Sequence, residues 1–377
     1  MPTSYGFLGT YPPAECSLAT FSRSLIRALT APGSSDTAAI VRVVDGPITS
    51  VAPEVVGQLP TQSADGHIGA AELLNSFDVA VVQHEDGIYG GHDGDQLLRV
   101  LDRLRVPSVV VMHTVVSDPT EHQEQILREI AAASTVVVTM TESARERLVH
   151  RYSVDPGSVR VIRHGADPRV GQETATSGRR PLILTWGLLG PGKGIEWAID
   201  GLQRVRRLQP KPAYIVAGKT HPRVRAYDGE NYRLKLAQRA RVAGVSDLVR
   251  FEGSYLDERT LRQLIRRADV VLLPYDSREQ ATSGVLVEAV AAGRPVVATA
   301  FPHAVELLST GAGLLVRQYD GAAIGEALFR VLTEPDLAQD MAAEARRLAP
   351  PLQWPAVAEQ YRLLAGALLA DRATRSR

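Results

Sequence analysis

Short apolar runs alternate with amphipathic stretches along almost the whole chain. Tyr5–Thr10, Ala38–Val44, Val79–Gln83, Ser108–Met112 and Thr135–Met140 have the β-branched, apolar character of strands. The run Val79-Ala80-Val81-Val82 is apolar throughout, which predicts a strand covered on both faces. Between these runs, Ser17–Leu29, Asp95–Arg103, Glu121–Ala132 and Glu142–Tyr152 carry helical periodicity. Thr141 followed by Glu142 reads as a capped helix start. The pattern stops at 171–180, a polar stretch without periodicity that reads as a linker. It then resumes with strands at Leu182–Trp186, Tyr214–Ala217, Leu248–Phe251, Val270–Leu273, Val296–Ala298 and Leu314–Val316. Helices are expected at Ile195–Arg206, Glu230–Val242, Glu258–Ala268 and Ser283–Ala292. Strands alternating with helices imply βαβ units and parallel sheets. The expected class is therefore α/β, with two tandem Rossmann-like, doubly wound domains over 1–170 and 181–352. A last helix, Trp354–Leu369, and a polar tail occupy 353–377.

Length agrees with this division, since 377 residues make about two domains at roughly 100–200 residues each. Cationic and acidic side chains balance at 42 each, which argues against a general nucleic-acid binder. One cysteine, Cys16, excludes an intrachain disulfide and reads as a small buried apolar residue. No apolar run is long enough to cross a membrane, and the N-terminus does not resemble a signal peptide, so the expected compartment is the cytoplasm. Only four of the 42 cationic side chains are lysine, at 193, 211, 219 and 235.

Two of those lysines lie where a ligand is expected. In doubly wound sheets, ligands bind at the carboxyl ends of the strands near the topological switch. The segment Trp186-Gly187-Leu188-Leu189-Gly190-Pro191-Gly192-Lys193-Gly194 joins a strand to a helix. Glycines there let backbone N–H groups approach an anion, and Lys193 adds a point charge suited to phosphate. It matches neither the P-loop nor the GxGxxG pattern. Lys219, in Gly218-Lys219-Thr220-His221-Pro222, offers a second phosphate contact or a solvated loop charge. The segment Pro274–Glu288 also runs from strand to helix. Thr282 or Ser283 can cap that helix, leaving the N–H groups of Gly284, Val285 and Leu286 for an anion. Glu288, one turn in, can accept two hydrogen bonds from a vicinal diol such as a ribose.

The first domain offers the other half of a site. Glu15 lies in the loop after the first strand, as an acceptor contact or simply an acid at a helix start. Gln83-His84-Glu85-Asp86-Gly87-Ile88-Tyr89 follows an apolar strand and lacks metal-ligand spacing. His84, Glu85 and Tyr89 are therefore assigned to acceptor binding, together with Thr114. His113-Thr114 ends another strand, where polar residues gather at ligand sites.

These loops, with Glu288-Ala289-Val290-Ala291-Ala292-Gly293-Arg294-Pro295-Val296-Val297-Ala298, resemble the retaining, nucleotide-sugar-dependent glycosyltransferases of family 4, which have the GT-B fold. The likeness is greatest to a bacterial subgroup with Tyr-Pro-Pro-x-x-Cys, Thr-His-Pro and Glu-Gln-x-Thr-Ser-Gly motifs, present here at 11–16, 220–222 and 279–284. The resemblance implies an interdomain cleft that closes over the donor, and a C-terminal helix crossing back to the first domain. It also implies hexose transfer (mannose or glucose) from a GDP- or UDP-sugar to a hydroxyl acceptor, with no metal and no cofactor beyond the donor. Position 280 would hold donor-sugar hydroxyls, Glu288 the ribose, and His113 would line the reaction centre. His164-Gly165 resembles a structural turn. Two departures stand out: Gln280 replaces a glutamate, and Leu188 replaces an arginine. Gln280 keeps hydrogen bonding but no charge. The lost arginine shifts phosphate neutralisation toward Lys219 or Arg223. The same fold also accommodates a nucleotide-sugar 2-epimerase or a non-catalytic nucleotide-sugar-binding homologue.

Overall fold

The structure, a computed structural model, describes residues 2–46, 48–49, 52–167, 179–277 and 281–375. The chain divides into two compact units, 1–165 with 354–377, and 166–353.

The first unit is built on seven parallel strands: β1 (Ser4–Gly9), β2 (Thr37–Val44), β3 (Val55–Pro60), β4 (Val79–His84), β5 (Ser108–Met112), β6 (Val136–Thr139) and β7 (Val159–Val161). They lie in the order β3-β2-β1-β4-β5-β6-β7. The chain order reverses direction across the sheet between β1 and β4, which are paired in parallel from Tyr5 with Val79 to Leu8 with Val82. That is the switch point, and the loops after β1 and β4 flank it. Every residue of β4 is buried, as its unbroken apolar run requires. Helix Trp354–Arg375 belongs to this unit. Its Trp354, Val357, Ala358, Tyr361 and Ala365 share one core with Phe21, Leu25, Ile26 and Leu29. Arg362 pins it further, donating to the carbonyls of Ala28 and Leu29 and to Asp36 Oδ2. The helix continues to Arg375, into the stretch expected to be a polar tail, because that stretch lacks glycine and proline.

The second unit repeats the plan with six parallel strands: β8 (Leu182–Trp186), β9 (Ala213–Ala217), β10 (Val249–Glu252), β11 (Val270–Leu273), β12 (Val296–Thr299) and β13 (Gly313–Val316). Their order is β10-β9-β8-β11-β12-β13, so the switch lies between β8 and β11. Separate apolar clusters, one with Leu184, Val271 and Val290 and one with Ile183, Ile199 and Leu272, take up alternate side chains of the same strands. Most of the expected linker lies outside the described residues. Its last two residues are anchored in this unit: Arg179 donates to Asp269 and Arg180 to the carbonyls of Lys211, Pro212 and Asp247.

Candidate functional site

Beside the switch of the second unit, three loops are laced together by backbone hydrogen bonds. The Leu189 N–H donates to Lys219 O at 2.8 Å, and the His221 N–H returns to Leu189 O at 2.8 Å. The amides of Asp276 and Ser277 both donate to Gly192 O, at 3.2 and 3.3 Å. The packing leaves no room for side chains at two glycines. A Cβ on Gly194, whose φ is +62°, would come within 1.8 Å of Pro274 O. One on Gly218 would come within 2.0 Å of Gly187 O.

This lacing holds Lys193 in a defined place. The side chain is half-buried, and its Nζ sits 4.4 Å from the centroid of the Tyr275 ring. A cation over an aromatic face gains about 0.5–2 kcal/mol. No carboxylate among the described residues pairs with it. Burial pulls its pKa from 10.5 down to about 8. Lys193 is also close enough to His221 to depress that imidazole, after burial and Arg223. A desolvated ammonium with no carboxylate partner among the described residues is a site prepared for an anion.

Tyr275 connects this lysine to the helix Gly284–Ala291, because the phenol hydrogen bonds with the Ser283 side chain. Ser283 is the N-cap: its Oγ accepts from the Leu286 N–H at 3.2 Å, while its own N–H donates to Nδ1 of buried His303 at 2.8 Å. The Leu286 N–H is therefore spent inside the helix, a correction to the expectation that it serves an anion. Gly284 and Val285 supply the first-turn amides, which have no acceptor within a helix. Glu288 lies one turn in, and its Oε2 accepts from the Trp186 indole N–H at 3.0 Å. Burial raises its pKa from 4.5 to about 7, partly offset by that hydrogen bond. Gly190, Lys219 and Thr282 lie on the same three loops, and the Gly190 carbonyl accepts from the Lys193 N–H at 3.2 Å. Gln280 lies outside the described residues. Tyr275, Trp186, His221 and His303 carry or neighbour the assigned groups, yet sequence reasoning passed over them. Their signal was weak, since aromatic and histidine side chains at strand ends also serve as packing.

In the first unit, His113 Nε2 meets Gln83 Oε1 at 2.7 Å, and the ring stands edge-on to Phe21 at 4.8 Å. With Gln83 accepting, Nε2 carries the proton and Nδ1 is left as an acceptor. Burial, with smaller effects from His164 and His84, lowers its pKa to about 3, so the ring is neutral at physiological pH. Gln83, with His84 after it, is buried at the end of a strand whose first four residues are apolar, and that polar interruption was the signal for it. Glu85 Oε2 accepts from Thr114 Oγ1 at 3.0 Å, joining the loops after β4 and β5.

Other assignments change. Tyr89 is 5% exposed and its hydroxyl donates to Gln83 O at 2.8 Å, so it braces the strand end instead of offering a free hydroxyl. His84 is 3% exposed, and burial lowers its pKa to about 4. It is a neutral, enclosed ring, not an open acceptor contact. Cys16 is half-buried and acts as the N-cap of Ser17–Leu29, its sulfur accepting from the Ala19 N–H at 3.4 Å. Glu15 beside it is exposed. His164 Nδ1 is spent on Gly165 O at 2.6 Å, and a Cβ on Gly165 would strike Trp354 at 2.2 Å, as suits a structural turn. The described residues contain one convergent group of metal-ligating side chains, His92, Asp93 and His122. No helix among them is long and apolar enough to cross a membrane.

Both halves of the chain are similar to glycosyltransferases. Residues 24–170 match the family described as Glycosyltransferase Family 4, and residues 180–334 match Glycosyl transferases group 1. A D-inositol 3-phosphate glycosyltransferase of Frankia alni is 29% identical over 288 residues, 70% of this chain and 69% of that protein. A glycogen synthase of Mycobacterium tuberculosis is 29% identical over 232 residues, and the match spans 60% of this chain and 52% of the enzyme. Among solved structures, Anabaena HepE in complex with UDP superposes with a TM-score of 0.76 at 17% identity, covering 97% of this chain and all (100%) of that one. A glycosyltransferase of Rickettsia africae gives 0.74 at 14%, covering 97% and 99%.

Proposed function

The chain belongs to the GT-B glycosyltransferases, and we propose that it is a retaining enzyme that moves a hexose from a nucleoside-diphosphate sugar to a hydroxyl of a sugar, glycan or small-molecule acceptor. The observation that carries this reading is the half-buried Lys193 ammonium, held over Tyr275 without a carboxylate partner among the described residues. Lys193 and the Gly284 and Val285 amides would neutralise the departing diphosphate, which is electrostatic stabilisation of charge as it develops. Glu288 would take the ribose diol on the carboxylate oxygen not engaged by Trp186. In the first unit, His113 Nδ1 would accept from a sugar hydroxyl, with Gln83 fixing its tautomer. The Glu85–Thr114 pair would orient the acceptor. The acceptor oxygen would attack from the face the diphosphate leaves, and a phosphate oxygen would take its proton. With Gln at position 280, no ionised carboxylate stands there as a nucleophile, which favours this same-face route over double displacement. Uracil is the first base to try, because the HepE structure holds UDP.

Lys193→Ala and Glu288→Ala each lower turnover by at least about 100-fold, the scale of losing one electrostatic catalytic group. Near-normal turnover in both variants overturns the assignment.

A further inference from the structure

A separate cluster lies on the segments that follow β4 and β5. His92 and Asp93 occupy a single 3₁₀ turn, His92–Gly94, downstream of β4. His122 stands in the first turn of helix Glu121–Ala133, downstream of β5. The His92 and His122 Nδ1 atoms are 2.8 Å apart. Asp93 Oδ2 is 2.9 Å from the His122 Nδ1 and 3.5 Å from the His92 Nδ1. The other Asp93 oxygen accepts from Gln123 Nε2 at 3.4 Å. That side-chain amide also belongs to the helix capping box, whose Thr120 N–H donates to Gln123 Oε1.

One hydrogen on the His122 Nδ1 serves the carboxylate fully and His92 only as a bent, shared contact. Hydrogens on both nitrogens would collide, and with none two lone pairs would face each other beside a carboxylate. The convergence of two imidazole nitrogens and a carboxylate oxygen on one point is also the donor set that a cation takes. Asp93 stands at φ of +53°, a left-handed conformation that aspartate adopts more readily than most side chains. Two imidazole nitrogens and one carboxylate oxygen are borderline donors that suit Zn²⁺ better than Mg²⁺ or Ca²⁺.

We propose that His92, Asp93 and His122 form a site for a divalent transition ion of the Zn²⁺ type, which ties the turn after β4 to the helix start after β5. Three protein ligands leave a fourth position open to water or an anion. His92 is 74% exposed, so the ion enters from solvent. The same two segments carry Glu85 and Thr114, so the ion would stiffen both acceptor-side loops without touching the donor groups.

The test uses the full chain, without a polyhistidine tag, stripped with EDTA and exchanged into chelator-free buffer. Titration with ZnCl₂ is followed by calorimetry, and Co²⁺ is loaded in parallel for its visible absorption. One ion per chain, with a raised Tm, is the expected result. His122→Ala and Asp93→Asn each weaken Zn²⁺ by at least about tenfold, the size of effect seen when a metal site is disturbed. Should His122→Ala fail to fold, His92→Gln provides the second variant. Absence of stoichiometric binding, or Zn²⁺ affinity unchanged in folded variants, overturns the proposal. Because binding alone is read, the outcome is independent of glycosyl transfer.

Discussion

Two ionisable side chains, Lys193 and Glu288, are both held against their solution preference. Burial brings Lys193 down to about 8, so below pH 8 it is protonated in the folded and unfolded chain alike, and the desolvation cost is carried in full. Between pH 8 and 10.5 the unfolded chain keeps its proton longer, and stability rises with pH. Lys193→Met therefore stabilises the ligand-free protein at pH 7 by about 1–3 kcal/mol, allowing for solvent screening and the lost contact with Tyr275. Chemical denaturation of both proteins at pH 7 checks this, and a destabilised variant contradicts it. Glu288 runs the other way. Its raised pKa means the unfolded chain releases the proton first, so stability falls as pH rises from 4.5 toward 7. A cost accepted at both positions is the signature of a ligand site.

The same two groups set how nucleotide binding responds to pH. The diphosphate needs the ammonium, so affinity falls above about pH 8, where free Lys193 loses its proton. The ribose diol needs the carboxylate, so affinity also falls below about pH 7. Calorimetric titration with UDP across pH 5.5–9.5 gives a bell, with flanks near those two values. Lys193→Arg keeps its charge throughout and flattens the alkaline flank. Glu288→Gln flattens the acid flank. Flanks that remain in the respective variants assign the titration to other groups.

At the scale of elements, the loops after β8 and β11 work because glycine stands where backbone crosses backbone. Gly194→Ala places a Cβ against Pro274 O and forces alanine to φ of +62°, so both loops shift. Stability drops by at least about 1–2 kcal/mol and turnover falls with it, as thermal unfolding and an activity assay will show. A folded, fully active Gly194→Ala enzyme contradicts the lacing. The central strands β4, β5, β8 and β11 were plain in the sequence because burial on both faces makes them continuously apolar. β3 was not, since it is an edge strand with alternating exposure and a proline at its end. β7 has only three residues, too few for any period to show. Helices Gly321–Thr333 and Pro335–Leu348 also went unread, although both bury a regular apolar face.

Across the whole molecule, the donor-side groups sit in 166–353 and the acceptor-side candidates in the first unit. Lys193, Ser283 and Glu288 were legible because glycine-rich strand-end loops narrow the search. Their supports were not, because Trp186, Tyr275 and His303 come to their partners only through the tertiary fold: Trp186 and Glu288 are 102 residues apart. The His92–Asp93–His122 group escaped for the same reason, its third member lying on another element. The balanced charge, 42 against 42, hides the local cation, Lys193, proposed to meet a diphosphate. The most direct measurement is a donor screen. The purified chain is incubated with UDP- and GDP-linked glucose and mannose, with and without pooled sugar and polyol acceptors, in the presence and absence of EDTA. Nucleoside diphosphate release and the product anomer are both read. Acceptor-dependent release from at least one donor, not abolished by EDTA and giving a product of retained configuration, is the predicted result. No release with any donor, an inverted product, or acceptor-free conversion to a 2-epimer contradicts the account.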